Sequence, residues 1–189
     1  MKGPGHKAVF LDRDGVLNVE QGFITSADQL KPVPGLVSAL RRLGQAGFLR
    51  IVVTNQSALA RGLINFHELC RIHQKLRALC EEELDAILAC PHHPEAGNSA
   101  LTRSCPCRKP NGGMLRHAGQ VFSLDPERCV LVGDAVRDIE ASHHFGAKAA
   151  LVLGPKLAHS RDWPQDRTAP EFFAKDLEQA LEWILSTVR

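Results

Sequence analysis

Tyrosine is absent from the 189 residues, tryptophan occurs twice, and neither sign of charge dominates, with 23 basic against 21 acidic side chains. A formal charge near +2 with no long basic run, and so few tryptophans, leaves no basic groove for nucleic acid. The same balance excludes loose adhesion to an anionic membrane surface. No apolar stretch approaches the roughly 20 residues of a membrane span. Met1-Lys2-Gly3-Pro4-Gly5 leads into the first apolar run without the apolar core of a signal peptide, so the chain reads as cytoplasmic. Internal repeats and a compositional break are also missing. The expectation is a single domain over residues 1–189, long enough to bury a good core and monomeric.

What is present is an alternation. Short apolar runs recur at Ala8 to Leu11, Leu49 to Val53, Ala86 to Ala89, Cys129 to Val132 and Ala149 to Leu153. Between them lie helical periodicities such as Leu36-Val37-Leu40-Leu43, Leu69-Ile72-Leu76-Leu79 and Met114-Leu115-Ala118-Val121. Gly35 and Gly47 punctuate the first of these helices. Alternating strands and helices imply right-handed βαβ units, so the predicted fold is α/β, a doubly wound parallel sheet. The tail from Asp176 to Val188 reads as a closing helix with Leu177, Leu181, Ile184 and Leu185 on one side. Two connections are too long for simple turns. Asn18 to Pro34 is expected to form a flap over the sheet's carboxyl edge, and Pro91 to Lys109 a second functional loop.

The densest chemistry follows the first run, in Asp12-Arg13-Asp14-Gly15-Val16. Residues two apart share a strand face, so Asp12 and Asp14 should emerge together at the carboxyl end, where open α/β sheets bind ligands. A hard cation such as Mg2+ would relieve their repulsion and prepare phosphoryl chemistry. The competing reading is a solvated strand end. An EF-hand does not fit, because its glycine belongs at loop position six and Gly15 would occupy position four. Thr54-Asn55-Gln56-Ser57 ends the second run and could either cap a helix or bind a ligand. Arg108-Lys109 precedes a helix start, where basic residues oppose the dipole unless an anion binds. Asp134, after Gly133, would bring a third carboxylate to the same edge, with Asp138 four residues on.

Six cysteines in a cytosolic chain are reduced thiols or metal ligands before they are disulfides. Cys70, Cys80 and Cys129 fall in helical or strand patterns and are assigned to core packing. Cys90, His92, Cys105 and Cys107 form the donor set of a closed structural zinc site, at spacings tighter than usual, with His93 a possible substitute for His92. The alternative is scattered thiols. Gly3-Pro4-Gly5-His6-Lys7-Ala8 matches a dinucleotide glycine pattern only formally, since it precedes the strand.

In their order, Asp-x-Asp-Gly-Val, Thr54, Lys109 and Gly-Asp-x-x-x-Asp resemble the haloacid dehalogenase (HAD) superfamily of phosphotransferases over Val9 to about Leu153. The resemblance implies a HAD-like Rossmannoid sheet carrying a flap and a zinc loop (residues 90–107) but no large cap. Asp12 would be the nucleophile that forms an aspartyl-phosphate, Asp14 the general acid and base, and Thr54 and Lys109 the stabilisers of the transferring phosphoryl group. Mg2+ would be held by Asp12, the Asp14 backbone carbonyl and Asp134, with Asp138 orienting Lys109 or a metal-bound water. With Ala60-Arg61-Gly62, Cys90-Pro91-His92-His93-Pro94 and Cys107-Arg108-Lys109-Pro110, the pattern is similar to the D,D-heptose 1,7-bisphosphate phosphatase branch. That implies removal of the 7-phosphate of a small phosphorylated sugar, supplying nucleotide-heptose for lipopolysaccharide core. Substrate contacts would come from Glu20, Gln21, Gly22, Phe23, from Asn55, Gln56, Ser57, and from Arg108 as the anchor of the remaining phosphate. Arg61 is assigned to a helix surface or loop anchor. Three positions depart from the family pattern: Phe23 for Tyr, Ala58 for Gly, and Ala135 for the Lys that often follows Gly-Asp. Two alternatives stay open: the related histidinol-phosphate phosphatases, which have a shorter loop, and a non-enzymatic module that binds a partner through its zinc loop.

Overall fold

The structure, a computed structural model, describes residues 5–97 and 100–188. The lead-in Met1 to Pro4, with the start of the glycine pattern at Gly3, lies outside them, as do Asn98 and Ser99 of the cysteine loop. Among the described residues no helix is long and apolar enough to cross a membrane.

Six strands, β1 (His6–Leu11), β2 (Leu49–Asn55), β3 (Ala86–Cys90), β4 (Leu124–Gly133), β5 (Lys148–Val152) and β6 (Phe172–Ala174), form one sheet in the order β3-β2-β1-β4-β5-β6. Every pairing is parallel. The helices are α1 (Leu36–Gln45), α2 (Phe66–Leu79), α3 (Gly113–Phe122), α4 (Val136–Phe145) and α5 (Leu177–Thr187). From β1 the chain steps outward through β2 to β3, returns to the other side of β1 at β4, and continues outward. This reversal places a crevice at the carboxyl ends of β1 and β4.

Strand periodicity explains why both faces need cover. In β1, Val9 and Leu11 pack into a core with Leu40 of α1, Ile72 of α2 and Leu181 of α5. Ala8 and Phe10 point the other way, into a core with Leu115 of α3 and Ala141 of α4. Phe10 meets Phe145 edge-on at 5.7 Å. Helix ends follow local chemistry: Gly35 (φ 74°) starts α1, Asn65 and Glu68 form a capping box on α2, and the Asp176 carboxylate accepts from Gln179 N at the start of α5.

Several sequence expectations need correction. Cys70 is exposed on α2, although Cys80 and Cys129 are buried; the apolar face of α2 passes through Leu69, Ile72 and Leu76 and leaves position 70 outside. Val121 is exposed on α3 and Leu185 only partly buried on α5. The sixth strand went unforeseen. The long segment between β5 and β6 carries Leu157 and Trp163 onto Ile139 of α4, a small core of its own beside the crevice.

Candidate active site

β1 ends at Leu11, but Asp12 continues its pairing by donating its backbone N–H to Val132 O (2.9 Å), which fixes its carboxylate at the sheet edge. Lys109 reaches this carboxylate from behind. Its side chain is fully buried, with Nζ 3.0 Å from Asp12 Oδ1, 2.6 Å from Asp138 Oδ1 and 2.7 Å from Val53 O, which uses all three of its protons. Asn55 clasps the Lys109 backbone: its Nδ2 donates to Lys109 O (3.0 Å) and its Oδ1 accepts from Lys109 N (3.1 Å). Thr54 is buried beside them, its hydroxyl accepting from Gln56 Nε2 at 2.8 Å. The strand-end polar cluster is therefore a scaffold for Lys109 and not a helix cap. Asp138 orients Lys109, and its Oδ2 also accepts from Ala135 N at the start of α4.

Asp12 and Asp14 both line one cleft at the carboxyl edge, as expected, but their carboxylates take different partners. The strand ends before them, and the chain turns at Gly15 (φ 88°). Arg13 takes the Asp14 carboxylate in a fork, with Nε at 3.0 and 3.1 Å and Nη2 at 2.6 Å, and Asn18 Nδ2 adds a bond at 3.3 Å. Asp12 instead groups with Asp134 and Asp138, whose carboxylate oxygens all lie within 4.8 Å of one another and are buried. Two glycines make this crowding feasible: a Cβ on Gly15 would stand 1.9 Å from Asp134 Oδ2, and one on Gly133 would stand 2.2 Å from Asp138 Cβ.

Electrostatics follow from the packing. Burial pushes Asp12 up, but Lys109 and Arg137 outweigh it and hold its carboxyl below the usual range. Asp134 is pushed up to about 7, chiefly by burial and further by Asp12 and Asp138, with Lys156 opposing. A carboxylate strained toward protonation beside two others is a fitting host for a hard divalent cation, which would favour its ionised form. Asp138 is already occupied by Lys109, leaving Asp12 and Asp134 as the side chains that could hold Mg2+.

These groups lie at and beneath the floor of a cleft of about 300 Å3. Asp14, Thr54, Asn55, Gln56, Ser57 and Arg108 line it, as the motifs foresaw, and from the flap come Glu20, Gly22 and Phe23. Gln21 does not reach it; its Nε2 donates to Gln29 O within the flap (3.0 Å). Arg61 is exposed in the turn after β2, lines the cleft and stacks over the Phe23 ring of the flap at 5.2 Å. Arg13, Arg137 and Lys156 went unassigned in the sequence. Lys156 Nζ lies 2.8 Å from Asp134 Oδ2 and pairs with Glu20 of the flap, holding flap and floor together. Its signal was available, since Gly154-Pro155-Lys156 follows the end of β5 at the functional edge.

Beside the cleft, Cys90, His92, Cys105 and Cys107 offer donor atoms that all lie within 4.8 Å of one another. Cys90 Sγ is 3.7 Å and Cys107 Sγ 4.0 Å from His92 Nδ1. The alternative ligand His93 is spent locally, with Nδ1 accepting from Glu95 N (3.1 Å) and Ala96 N (2.9 Å). Three thiols and an imidazole converging from two ends of a loop fit a closed tetrahedral site. The loop is tied to the cleft by Arg108 Nη1, which donates to His92 O at 3.0 Å.

A parallel sheet with an aspartate-rich switch point, a buried lysine and a polar strand end defines a HAD-like hydrolase, and residues 106–180 match the HAD-hydrolase-like family. Curated relatives named D-glycero-β-D-manno-heptose-1,7-bisphosphate 7-phosphatase include one from Haemophilus influenzae, 39% identical over 77% of this chain and 79% of that protein. Another, from Escherichia coli K12, is 34% identical over 93% of both chains. The crystal structure of D,D-heptose 1,7-bisphosphate phosphatase from B. bronchiseptica, complexed with magnesium and phosphate, superposes with a TM-score of 0.81 at 34% identity, covering 95% of this chain and 98% of that one. The chain belongs to the D-glycero-β-D-manno-heptose-1,7-bisphosphate 7-phosphatase family of HAD-like phosphoric monoester hydrolases.

Proposed function

We propose that the protein removes the 7-phosphate of D-glycero-β-D-manno-heptose 1,7-bisphosphate, acting as a cytoplasmic monomer in the supply of nucleotide-heptose for lipopolysaccharide core. The observation that carries this reading is the Asp12–Lys109–Asp138 chain of charges beside Asp134, at the floor of a cleft walled by arginines. The β anomer is taken from the relatives' names.

Asp12 attacks phosphorus and the bond to O7 breaks, leaving an aspartyl-phosphate; Asp14 gives its proton to the departing oxygen. Asp14 then takes a proton from the water that attacks the acyl-phosphate, and Asp12 is regenerated with release of inorganic phosphate. Lys109 and the Thr54 hydroxyl stabilise the phosphoryl oxygens as charge develops. Mg2+, held by Asp12, Asp134 and the Asp14 carbonyl, would supply the charge neutralisation that lets an anionic nucleophile approach an anionic phosphate. Asp14 must leave the Arg13 fork to reach the leaving group, so its pairing with Arg13 sets its starting position. Glu20, Gly22, Phe23, Asn55, Gln56, Ser57 and Arg108 contact the sugar and its remaining phosphate. Cys90, His92, Cys105 and Cys107 would hold a structural zinc, which would close the loop that carries Arg108, outside the chemistry. Free cysteines in a metal-ligating arrangement suit a reducing compartment.

Phosphate release with Mg2+ on both anomers of the heptose bisphosphate and on histidinol phosphate, with Asp12→Asn as blank, tests the reading. A hundredfold preference in kcat/KM for the β anomer, about 2.7 kcal/mol of discrimination, is the expected result. Preference for histidinol phosphate would overturn the substrate, and activity insensitive to Asp12→Asn would overturn the chemistry. Elution at twice the mass of the 20.7 kDa chain would refute the monomer.

A further inference from the structure

Arg137 has a charge that the site uses but a guanidinium donor that it leaves unpaired. It stands in the first turn of α4, between Asp134 and Asp138 in sequence, and lines both the main cleft and an adjoining cavity of about 580 Å3. Its Nε is buried without a hydrogen-bond partner among the described residues. The acids around it are already served, Asp138 by Lys109, and Asp134 and Glu20 by Lys156. Other cleft arginines are at least partly spent: Arg108 donates to His92 O, Arg13 forks onto Asp14 while its Nη1 is also buried without a partner, and Arg61 covers Phe23. A buried guanidinium donor left unpaired is unfavourable by about 1–3 kcal/mol and calls for a partner.

Position identifies that partner. Asn55 at the end of β2 clasps the residue after Arg108, Arg137 follows β4, and β1 lies between those strands, so both arginines line one cleft with Asp12. Two cations facing one cleft repel unless an anion lies between them, and a guanidinium fork matches phosphate oxygens in pairs.

We propose that Arg137 is a substrate-binding residue that holds, opposite Arg108, the phosphate that is not transferred. This rests on the bisphosphate reading above and adds a residue and a direction to it: the retained phosphate lies toward α4. The sugar then spans from that phosphate to Asp12.

Arg137→Met and Arg137→Lys are to be assayed on heptose 1,7-bisphosphate and on p-nitrophenyl phosphate, which carries only the transferable group. For Arg137→Met, kcat/KM on the bisphosphate falls at least tenfold more than on p-nitrophenyl phosphate, with the difference in KM. Arg137→Lys, which keeps the charge but loses the fork, falls between wild type and Met. Equal losses on both substrates would overturn the proposal and assign Arg137 to the transferring group or to the fold. An unchanged KM for the bisphosphate would overturn it as well. A wild-type enzyme that does not prefer the bisphosphate would sink the substrate reading itself, a result visible before any variant is made.

Discussion

Lys109→Met should unseat the charge balance of the whole sheet edge. The wild-type ammonium lies 3.0 Å from Asp12, 2.6 Å from Asp138 and 2.7 Å from Val53 O, with no solvent reaching its side chain. Methionine fills the space but leaves two buried carboxylates uncompensated, a loss of about 3–5 kcal/mol, and a strand carbonyl without its donor, about 1 kcal/mol more. At roughly 2–4 °C per kcal/mol for a chain of this length, Tm should fall by about 10–20 °C. The sign of the pH dependence is a sharper test. In the wild type, Lys109 and Arg137 together outweigh burial and hold Asp12 below 3.8, so the stability this confers is lost only as pH falls through that lowered value. In the variant only Arg137 and the Arg13 backbone N–H still oppose burial, so the folded pKa moves up; the penalty is full above the raised value and fades as pH falls through it. Urea melts in chelator at pH 8 and pH 5 should therefore show the gap between variant and wild type narrowing at pH 5. Adding Asp138→Asn to Lys109→Met should recover about 1–3 kcal/mol, a coupling that a double-mutant cycle reads directly. A variant melting within about 2 °C of wild type at pH 8, or strict additivity in the cycle, would refute the reasoning.

Asp12→Asn should abolish phosphate release by about 10^4-fold or more while the far-ultraviolet spectrum and melting cooperativity persist; turnover at the normal rate would remove Asp12 as nucleophile. Cys105→Ala should lower zinc content, measured by atomic emission, and Tm together, the latter by about 5 °C or more; full zinc retention with wild-type melting would break the ligand set. Because Asp134 is pushed up to about 7 and must be ionised to bind a cation, Mg2+ affinity by calorimetry should be about tenfold weaker at pH 6 than at pH 8. A flat profile over that range would show that Asp134 is not a ligand.

Much of this arrangement was legible in the chain because strand ends carry their polar residues in sequence order. The runs before Asp12, Thr54 and Asp134 announced strands, and parallel topology brings all their carboxyl ends to one edge. What stayed hidden depended on side-chain direction beyond a strand's last residue and on partners far apart in sequence. The two-residue alternation foresaw one cleft for Asp12 and Asp14 but not their separate partners, because the strand stops at Leu11. Arg13 looked like a spacer between two acids until the turn at Gly15 folded it back onto one of them. Lys156 meets Glu20 across 136 positions of sequence, a distance that no periodicity reports. β6 is three residues long, too short for an alternating pattern to register. Arg61 was read by local spacing alone, and its stacking on Phe23 depends on where the flap comes to rest.

The clasp between Asn55 and the Lys109 backbone has a consequence for how such an enzyme can diversify. Two hydrogen bonds at 3.0 and 3.1 Å secure Lys109 directly to the end of β2, so this lysine does not depend for its position on the length of the loop preceding it. The segment from Pro91 to Cys107 is free to lengthen, shorten or exchange its surface while both of its ends remain pinned. Substrate range and phosphoryl chemistry are thereby separable inheritances, one written in an exchangeable loop and the other in a fastener a single residue wide.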